Sequence, residues 1–263
     1  MPAPTYRTFE RAMPFIVIVA ALLVWQGIVR LFGVETFILP APTDIYHALA
    51  QYRDPIMASA LFTLSNTLIG FAIGIVVGVI LGMVIGTSRL AYAGLYPLLV
   101  GLNSVPKAAI VPILVLWMGI GQPPAITTAF LLSFFPITVN VATGLATTEP
   151  ELEDVLRSLG ATRLDILRKV GVPRSMPYFF ASLKVSITLA FVGAVISETL
   201  ASNDGIGYLM MQAASQFRTP LMFAGVAAIA AMGIVTYLLF VVIERRFTGW
   251  ATRKDNIGVM GGG

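Results

Sequence analysis

The sequence predicts an all-α integral membrane protein with six transmembrane helices, and three observations lead to that prediction. Hydrophobic residues occupy 57% of the 263 positions and charged residues only 11%, whereas a soluble domain has about 25% charged residues. The mean hydropathy is +0.86. Apolar runs of about 20 residues, the length that crosses a bilayer, recur six times along the chain.

Composition also excludes several kinds of site. The chain has no cysteine, so it can form neither a disulfide nor a thiolate metal site. Its single histidine, His47, cannot form a multi-histidine centre, and we expect no metal site. The net charge of +4 would suit a nucleic acid, but the basic residues lie between apolar segments, as membrane topology requires. We therefore expect no nucleic-acid partner.

The six predicted spans extend over the whole chain, which we interpret as one transmembrane domain, residues 1–263, with a core of about 61–245. Arg7 and Arg11 precede the first span and no small-residue cleavage pattern follows it, so we expect a retained anchor. The predicted spans cover about residues 14–32, 61–86, 90–118, 124–146, 176–199 and 221–243.

The distribution of lysine and arginine predicts the orientation. With the N-terminus inside, twelve of the 17 cations fall on the cytoplasmic side, as the positive-inside rule requires. Both termini and the segment between spans four and five are then cytoplasmic. The cytoplasmic cations are Arg7, Arg11, Arg89, Arg157, Arg163, Arg168, Lys169, Arg174, Arg245, Arg246, Arg253 and Lys254.

Two short segments on the predicted outer side also carry structural signals. After span one, Pro40 and Pro42 break the chain, and Thr43 can cap a short interfacial helix on which His47 is solvated. Before span six, "ASNDGIGYLMMQAASQFRTP" has paired glycines and then an amphipathic stretch. It is typical of a re-entrant or surface helix.

Span two has a glycine at every fourth position. Small residues at this spacing let two helices in lipid approach backbone to backbone. The pattern therefore predicts a helix inside the bundle, which either packs statically or slides against its neighbour. The glycines are Gly70, Gly74, Gly78, Gly82 and Gly86.

Span three is too long for one straight crossing, since 29 residues of helix extend roughly 43 Å and the hydrocarbon core is about 30 Å thick. "LNSVPKAAIVP" predicts an interruption near Pro106 and a second disturbance at Pro112. Broken helices with polar residues indicate a transport path. The predicted path residues are Asn103, Ser104, Pro106, Lys107, Asn140 and Glu198.

Charged residues within or near the spans leave alternatives open. Lys107 either faces the path or is partnered by Glu198 or by backbone carbonyls. Lys184, about eight residues into span five, either has a function there or snorkels toward the cytoplasm. Lys184 and Glu198 lie 14 residues apart, roughly 21 Å along a helix, and cannot pair. Glu198 is the one carboxylate recognised at the edge of a span.

The cytoplasmic segment 148–173 is predicted to form a helical hairpin. Thr148 can cap its first helix, with Glu151 in the capping-box position. Gly160 stands where a left-handed residue ends a helix. Thr162 can cap the second helix with Asp165, and Gly171 and Pro173 are expected to stop it. Two apolar faces are predicted, on Leu152, Val155, Leu156 and Leu159 and on Leu164, Leu167 and Val170.

Such a hairpin is more than a connector, because a connector needs only a few polar residues. The hairpin resembles the cytoplasmic motif of the inner-membrane permeases of binding-protein-dependent ABC importers. In that motif Glu-Ala-Ala, three residues, Gly, nine residues and Ile-x-Leu-Pro follow one another. Asp154-Val155-Leu156, Gly160 and Val170-Gly171-Val172-Pro173 match this spacing, with Asp for Glu, Val and Leu for the alanines, and Val for Ile and Leu.

The resemblance extends over most of the chain. "ILPAPTDI", "SVPKAAIVPILVLWMGIG", "FFPITVN" and "ETLASNDGIGYLM" are similar to the nitrate, sulfonate, taurine and bicarbonate branch of these permeases. Permeases for thiamine precursors and riboflavin look similar as well. The resemblance implies a type I importer permease fold in a bacterial inner membrane, with a small organic or inorganic anion as cargo or, alternatively, a neutral vitamin precursor.

The resemblance also implies partners. A separate ATPase subunit would carry ATP and Mg, an external binding protein, periplasmic or lipid-anchored, would deliver the cargo, and a second identical permease would complete the path in the lipid bilayer. No cofactor is expected on this chain. The hairpin would be the coupling element, through Asp154, Val155, Leu156, Arg157, Ser158, Leu159, Gly160, Ala161, Val170 and Pro173.

Two other functional classes are weaker. A self-sufficient secondary transporter or channel predicts inverted repeats and ion-binding carboxylates in mid-membrane, and the sequence has no clear repeat. A membrane enzyme predicts clustered catalytic side chains, which one histidine and no cysteine do not provide. The chain also has no G-x-x-x-x-G-K-[ST] phosphate loop, so an importer of this kind would need its ATPase on another chain.

Overall fold

The computed structural model describes residues 4–147 and 150–248, and the side chains of 12–147 and 154–248. Helices dominate this part of the chain. Their bounds are α1 Pro4–Leu31, α2 Pro42–Gln51, α3 Arg53–Thr87, α4 Arg89–Asn103, α5 Lys107–Met118, α6 Gln122–Ala146, α7 Pro150–Ser158, α8 Arg163–Ile166, a π-helical turn Leu167–Gly171, α9 Val172–Ala201, α10 Ile206–Ser215 and α11 Thr219–Thr248.

Six membrane crossings are confirmed if one bent pair counts as a single span. Within the described ranges, α1, α3, α6, α9 and α11 are each long and apolar enough to cross a bilayer. The pair α4 and α5 passes the same test jointly, with an angle of 87° between the two helices. Span three is therefore broken, as the sequence predicts, and the bend is nearly a right angle.

The central core consists of α3, α6 and α9, with α6 in the middle. Each glycine of the predicted stripe on α3 faces α6: a Cβ placed on Gly78 would lie 2.9 Å from the Cβ of Ile137. From α9, a Cβ on Gly193 would lie 2.7 Å from the carbonyl oxygen of Thr128. The close approach that the stripe predicts is confirmed, and α9 makes a second such approach to α6.

A second core lies at the predicted outer end, where α2, α10 and α11 meet. Ile45 and Ala48 of the predicted interfacial helix α2 are buried there, together with Ile206 and Leu209 of α10. The segment before span six is thus a short helix packed against the bundle. His47 is exposed, as expected.

Thr43 does not cap α2, contrary to expectation. The N-cap residue is Ala41, whose N–H donates to Oδ2 of Asp44 at 3.1 Å. The Thr43 hydroxyl instead accepts from Arg30 of α1 at 3.1 Å, and Arg30 also pairs with Asp44 at 2.7 Å. These polar contacts join α1 to α2.

The second hairpin helix does not stop at Gly171 and Pro173, which corrects the prediction. The chain remains helical from Arg163 to Ala201, passing through the π turn at Leu167–Gly171. Pro173 falls in the first turn of α9, after the N–H of Val172 has donated to the Leu167 carbonyl. A proline lacks the N–H and crowds the carbonyl four residues before it in a regular α-helix, and the wider π turn relieves this conflict.

Lys184 has a carboxylate partner that the sequence reasoning missed. Its Nζ lies 2.7 Å from Oε2 of Glu244, and both side chains are largely buried between α9 and α11. Lys184 therefore forms an ion pair rather than only snorkelling toward the cytoplasm. Glu198 is also not the one carboxylate of these spans, because Glu244 lies within α11. The predicted end of span six at residue 243 excluded Glu244, whereas α11 continues to Thr248.

The close packing of α3 on α6 gives a direct test. In Gly82→Ala the new Cβ would lie 2.7 Å from the Cβ of Val141 and 2.9 Å from the Thr138 carbonyl oxygen, so the helices must separate. We expect a loss of about 1–3 kcal/mol and a lower melting temperature for the purified protein in detergent. Gly233→Ala on α11, where a Cβ meets no atom within 4 Å, is the matched control; equal melting temperatures would contradict the packing account.

Candidate functional site

The first candidate site is the hairpin that the sequence predicts to be cytoplasmic, and its turn is built as the sequence predicts. Gly160 has φ +82°, in the left-handed region that glycine favours. The N–H of Gly160 donates to the Arg157 carbonyl at 2.9 Å, and that of Ala161 donates to the Leu156 carbonyl at 3.0 Å. This is the Schellman pattern that closes a helix C-terminus, so α7 ends in a fixed direction.

The start of the second hairpin helix is also fixed. The N–H of Thr162 donates to Oδ2 of Asp165 at 3.0 Å, and the N–H of Asp165 donates to the Thr162 hydroxyl at 3.2 Å. The predicted capping box is therefore confirmed. The other predicted cap, at Thr148, lies outside the described residues, as does the side chain of Glu151.

The apolar side chains of the hairpin divide into two groups. Val155 on α7 and Leu159 directly after it are 56% and 77% exposed, and Leu164 is exposed as well. Ile166 is buried, and Leu167 and Val170 are half-buried. The predicted face of Leu164, Leu167 and Val170 is thus wrong for Leu164, because α8 turns Ile166 rather than Leu164 toward the bundle. The side chain of Leu152 is outside the described part.

The remaining hairpin residues lie as follows. Asp154 and Arg157 form an exposed ion pair at 3.8 Å, and the Ser158 hydroxyl donates to the Val155 carbonyl at 2.7 Å. Residues 154–161 therefore form one continuous patch. Val170 belongs to the π turn and Pro173 to the start of α9, so these two lie on the connection between the patch and the membrane span.

The second candidate site is the break between α4 and α5. α4 ends at Asn103, and α5 begins at Lys107 with Pro106 as its N-cap residue. The Ser104 hydroxyl donates back to the Val100 carbonyl at 3.2 Å. The interruption predicted at Asn103, Ser104 and Pro106 is confirmed, whereas Pro112 lies within α5 and does not interrupt it.

Lys107 folds back over this break. Its Nζ donates to the Asn103 carbonyl at 2.6 Å and to the side-chain oxygen of the same residue. Of the alternatives for this lysine, the partnership with backbone carbonyls is confirmed and the one with Glu198 is wrong. Its ammonium group puts a positive charge at the N-terminal end of α5.

Glu198, predicted to line the path, is enclosed in protein in the single chain, with only 1% of its surface exposed. Its carboxylate accepts from the Thr63 hydroxyl at 2.7 Å, from Nδ2 of Asn66 at 3.3 Å and from the N–H of Gly207 at 3.2 Å. The Thr63 hydroxyl in turn accepts from the N–H of Ile206 at 2.8 Å. We call these residues of α3, α9 and α10 the Glu198 cluster.

Gly205 before α10 and Gly207 in its first turn are explained by this cluster. A Cβ on Gly205 would lie 2.4 Å from Oε2 of Glu198, and one on Gly207 would lie 2.7 Å from the Glu198 Cβ. Sequence reasoning missed Thr63 and Asn66, although Thr63, Asn66 and Thr67 recur on one face of an otherwise apolar helix. That recurrence is the signal that could have identified them.

The predicted path residues are not hydrogen-bonded to one another. Nδ2 of Asn140 donates to the Pro136 carbonyl of its own helix at 2.9 Å. Among the described residues, no hydrogen bond joins Asn140, the break and the Glu198 cluster. Within the described ranges no group of three or more metal-ligating side chains occurs.

A comparison with known protein families identifies the group to which this chain belongs. Residues 74–249 match the family described as the inner membrane component of binding-protein-dependent transport systems. The chain belongs to this family. It is the permease of an ABC importer, and it carries the hairpin motif by which the sequence resembled that group.

Curated relatives span nearly the whole permease. A riboflavin transport system permease of Chloroflexus aurantiacus is 35% identical over 255 residues, covering 94% of this chain and 95% of that protein. A formylaminopyrimidine transport permease of Halalkalibacterium halodurans is 29% identical, covering 94% and 99%. A putative aliphatic sulfonates transport permease of Bacillus subtilis is 28% identical, covering 87% and 84%.

A solved structure has the same fold. The permease is similar to a chain of the inward-facing MetNI methionine ABC transporter, with a TM-score of 0.66 and 18% identity, over 75% of this chain and 98% of that one. The type I importer permease architecture is therefore confirmed.

The Glu198 cluster predicts a large stability effect. Glu198→Ala would leave the Thr63 hydroxyl, the Asn66 amide and the Gly207 N–H without their acceptor, at about 1–3 kcal/mol for each buried donor. We expect a clearly lower melting temperature in detergent. Glu35→Ala is the control, because Glu35 is exposed near the same end of the molecule. If the two variants have the same melting temperature, the Glu198 carboxylate does not stabilise this end.

Proposed function

We propose that this permease is driven by a separate ATPase subunit that docks on the cytoplasmic hairpin. The observation that carries the proposal is the exposed apolar pair Val155 and Leu159 on a helix whose exit is fixed by the Gly160 turn. Exposed apolar side chains on a rigid element suit a protein partner. A rigid turn also transmits motion, whereas a soft loop absorbs it.

The need for that partner follows from the chain itself. It has no phosphate loop, so ATP and Mg would bind to the partner. In this proposal the permease has no enzymatic activity of its own, both termini are cytoplasmic, the membrane is a bacterial inner membrane, and a periplasmic or lipid-anchored binding protein delivers the cargo. The family description, which names binding-protein dependence and the inner membrane, supports the last two points.

A second copy of the permease is proposed to complete the path. At the C-terminal end of α5, Leu116 is 82% and Trp117 73% exposed, and the break that holds Lys107 lies at the other end of the same helix. Lipid covers apolar side chains as well as protein does, but a bent, polar break is tolerated only against protein or a water-filled cavity. A homodimer supplies such a cover.

The proposed cargo is a small organic or inorganic anion such as a sulfonate, and nitrate and taurine belong to the same chemical class. Support comes from the sulfonate permeases among the relatives, from the Lys107 ammonium, and from the N-terminus of α5, where a helix dipole favours negative charge. The alternative is a neutral vitamin precursor. The riboflavin and formylaminopyrimidine relatives and the exposed ring of Trp117 favour it.

Coupling through the hairpin is tested at Gly160. A Cβ there meets no atom within 4 Å, so a substitution acts through φ alone, at about 1–3 kcal/mol for a branched residue. Gly160→Val should reach the membrane at the normal level yet lose transport and co-purification with its cognate ATPase subunit. Gly160→Asn, which tolerates a left-handed φ, should retain most of both; wild-type transport by the valine variant would refute the coupling role.

The charge of the cargo is tested at Lys107. Lys107→Gln should reduce uptake of an anion at least tenfold with unchanged assembly, because it removes the cation beside the break, whereas Lys107→Arg should retain uptake. A neutral cargo should be nearly indifferent to both changes. The measurement is uptake with the cognate binding protein in proteoliposomes. If a ligand screen of that binding protein returns only uncharged molecules, the anion proposal fails.

A further inference from the structure

A large cleft separates the hairpin from the cytoplasmic end of the bundle. Its volume is about 1180 Å³. Three parts of the chain enclose it: the turn from α3 into α4, the end of α6, and the hairpin with the π turn. The cleft residues that the argument uses are Ile85, Ser88, Arg89, Tyr92, Arg163 and Leu167.

The cleft lining carries a group of positive charges. Arg89, Arg157 and Arg163 line it against a single acidic side chain among its described lining residues, that of Asp154. Asp154 pairs with Arg157 and so compensates one of the three cations. Arg89 starts α4, whose N-cap Ser88 accepts from the Ala91 N–H at 3.3 Å, and the N-terminal end of a helix dipole adds further positive potential.

The lining also contains apolar side chains, and two of them lie about one helical turn from a cation: Tyr92 follows Arg89 on α4, and Leu167 follows Arg163. Ile85 is buried and Leu167 half-buried, and the ring of Tyr92 lies beside them in the lining. Because these residues end α3 and start the span toward α9, the cleft lies where the membrane spans meet the cytoplasmic surface. A ligand that fills it must have an anionic end and an apolar end.

We propose that this cleft binds the headgroup of an anionic phospholipid from the cytoplasmic leaflet. The phosphate lies between Arg89 and Arg163, since a guanidinium donates two parallel hydrogen bonds to phosphate oxygens. The first part of the acyl chains lies against Ile85, Tyr92 and Leu167. Basic pockets between helices on the cytoplasmic side suit such headgroups.

Two other occupants fit less well. Free inorganic phosphate would leave the apolar part of the lining in contact with water. An acidic segment of the ATPase would approach the outer surface of α7, where Val155 and Leu159 are exposed, whereas the cleft lies on the bundle side of the hairpin. A lipid there would bridge the hairpin to the start of α4. This proposal rests on the proposed cytoplasmic orientation of the hairpin and is independent of cargo and ATPase.

The test uses the full-length permease in detergent and native mass spectrometry with phosphatidylglycerol or phosphatidylcholine. The double variant Arg89→Gln, Arg163→Gln removes two cations of the cleft. The matched control, Arg168→Gln with Arg218→Gln, removes two exposed arginines that do not line the cleft. Both variants therefore have the same net charge.

We expect wild type and control to retain one phosphatidylglycerol in preference to phosphatidylcholine. The double variant should bind it about thirtyfold more weakly, from the attraction that two surface arginines contribute, and excess inorganic phosphate should not displace it. Equal retention by double variant and control, no preference over phosphatidylcholine, or complete displacement by inorganic phosphate would each overturn the proposal. Should the double variant fail to fold, Arg89→Gln alone should weaken binding about fivefold and serves in its place.

Discussion

The close contact of α6 with both α3 and α9 is the constraint on which the bundle depends. Lipid offers helices no hydrophobic reason to associate, so packing between small residues has to hold them together. The glycine stripe of α3 lets the backbone and Cβ atoms of α6 approach within the space that a methyl group would occupy. Gly193 does the same from α9.

This packing also determines where the hairpin lies. α6 ends at Ala146 shortly before α7 begins, and α8 leads through the π turn into α9. Both ends of the hairpin therefore continue from the two helices that are packed most tightly. At the outer end the Glu198 cluster holds α10 against α3 and α9 by hydrogen bonds instead, because a buried carboxylate needs donors on all sides. One three-helix core thus positions elements at both membrane surfaces.

Features encoded within a few residues could be predicted from the sequence. Gly160, the Thr162 capping box and the break before Lys107 depend on local backbone chemistry, and each occurs where it was expected. The family assignment followed from the same local motif. Sequence alone could not supply contacts such as that between Thr63 and Glu198, which are separated by 135 positions, because nothing in the sequence specifies which helices become neighbours. The pair of Lys184 and Glu244 was missed for the same reason.

The continuity of α8 with α9 was missed because glycine and proline usually end a helix, and the π turn resolves that conflict with one additional residue. Each residue of an α-helix rotates the chain by about 100°. Deleting one residue between Leu167 and Gly171 would restore an ordinary α-helical register and would swing Leu164 and all of α7 around the axis of α9 by that angle. The length of this stretch, independently of which side chains it carries, therefore decides which way the hairpin faces relative to the bundle. An insertion or deletion here changes the orientation of the hairpin while every side chain on it stays the same.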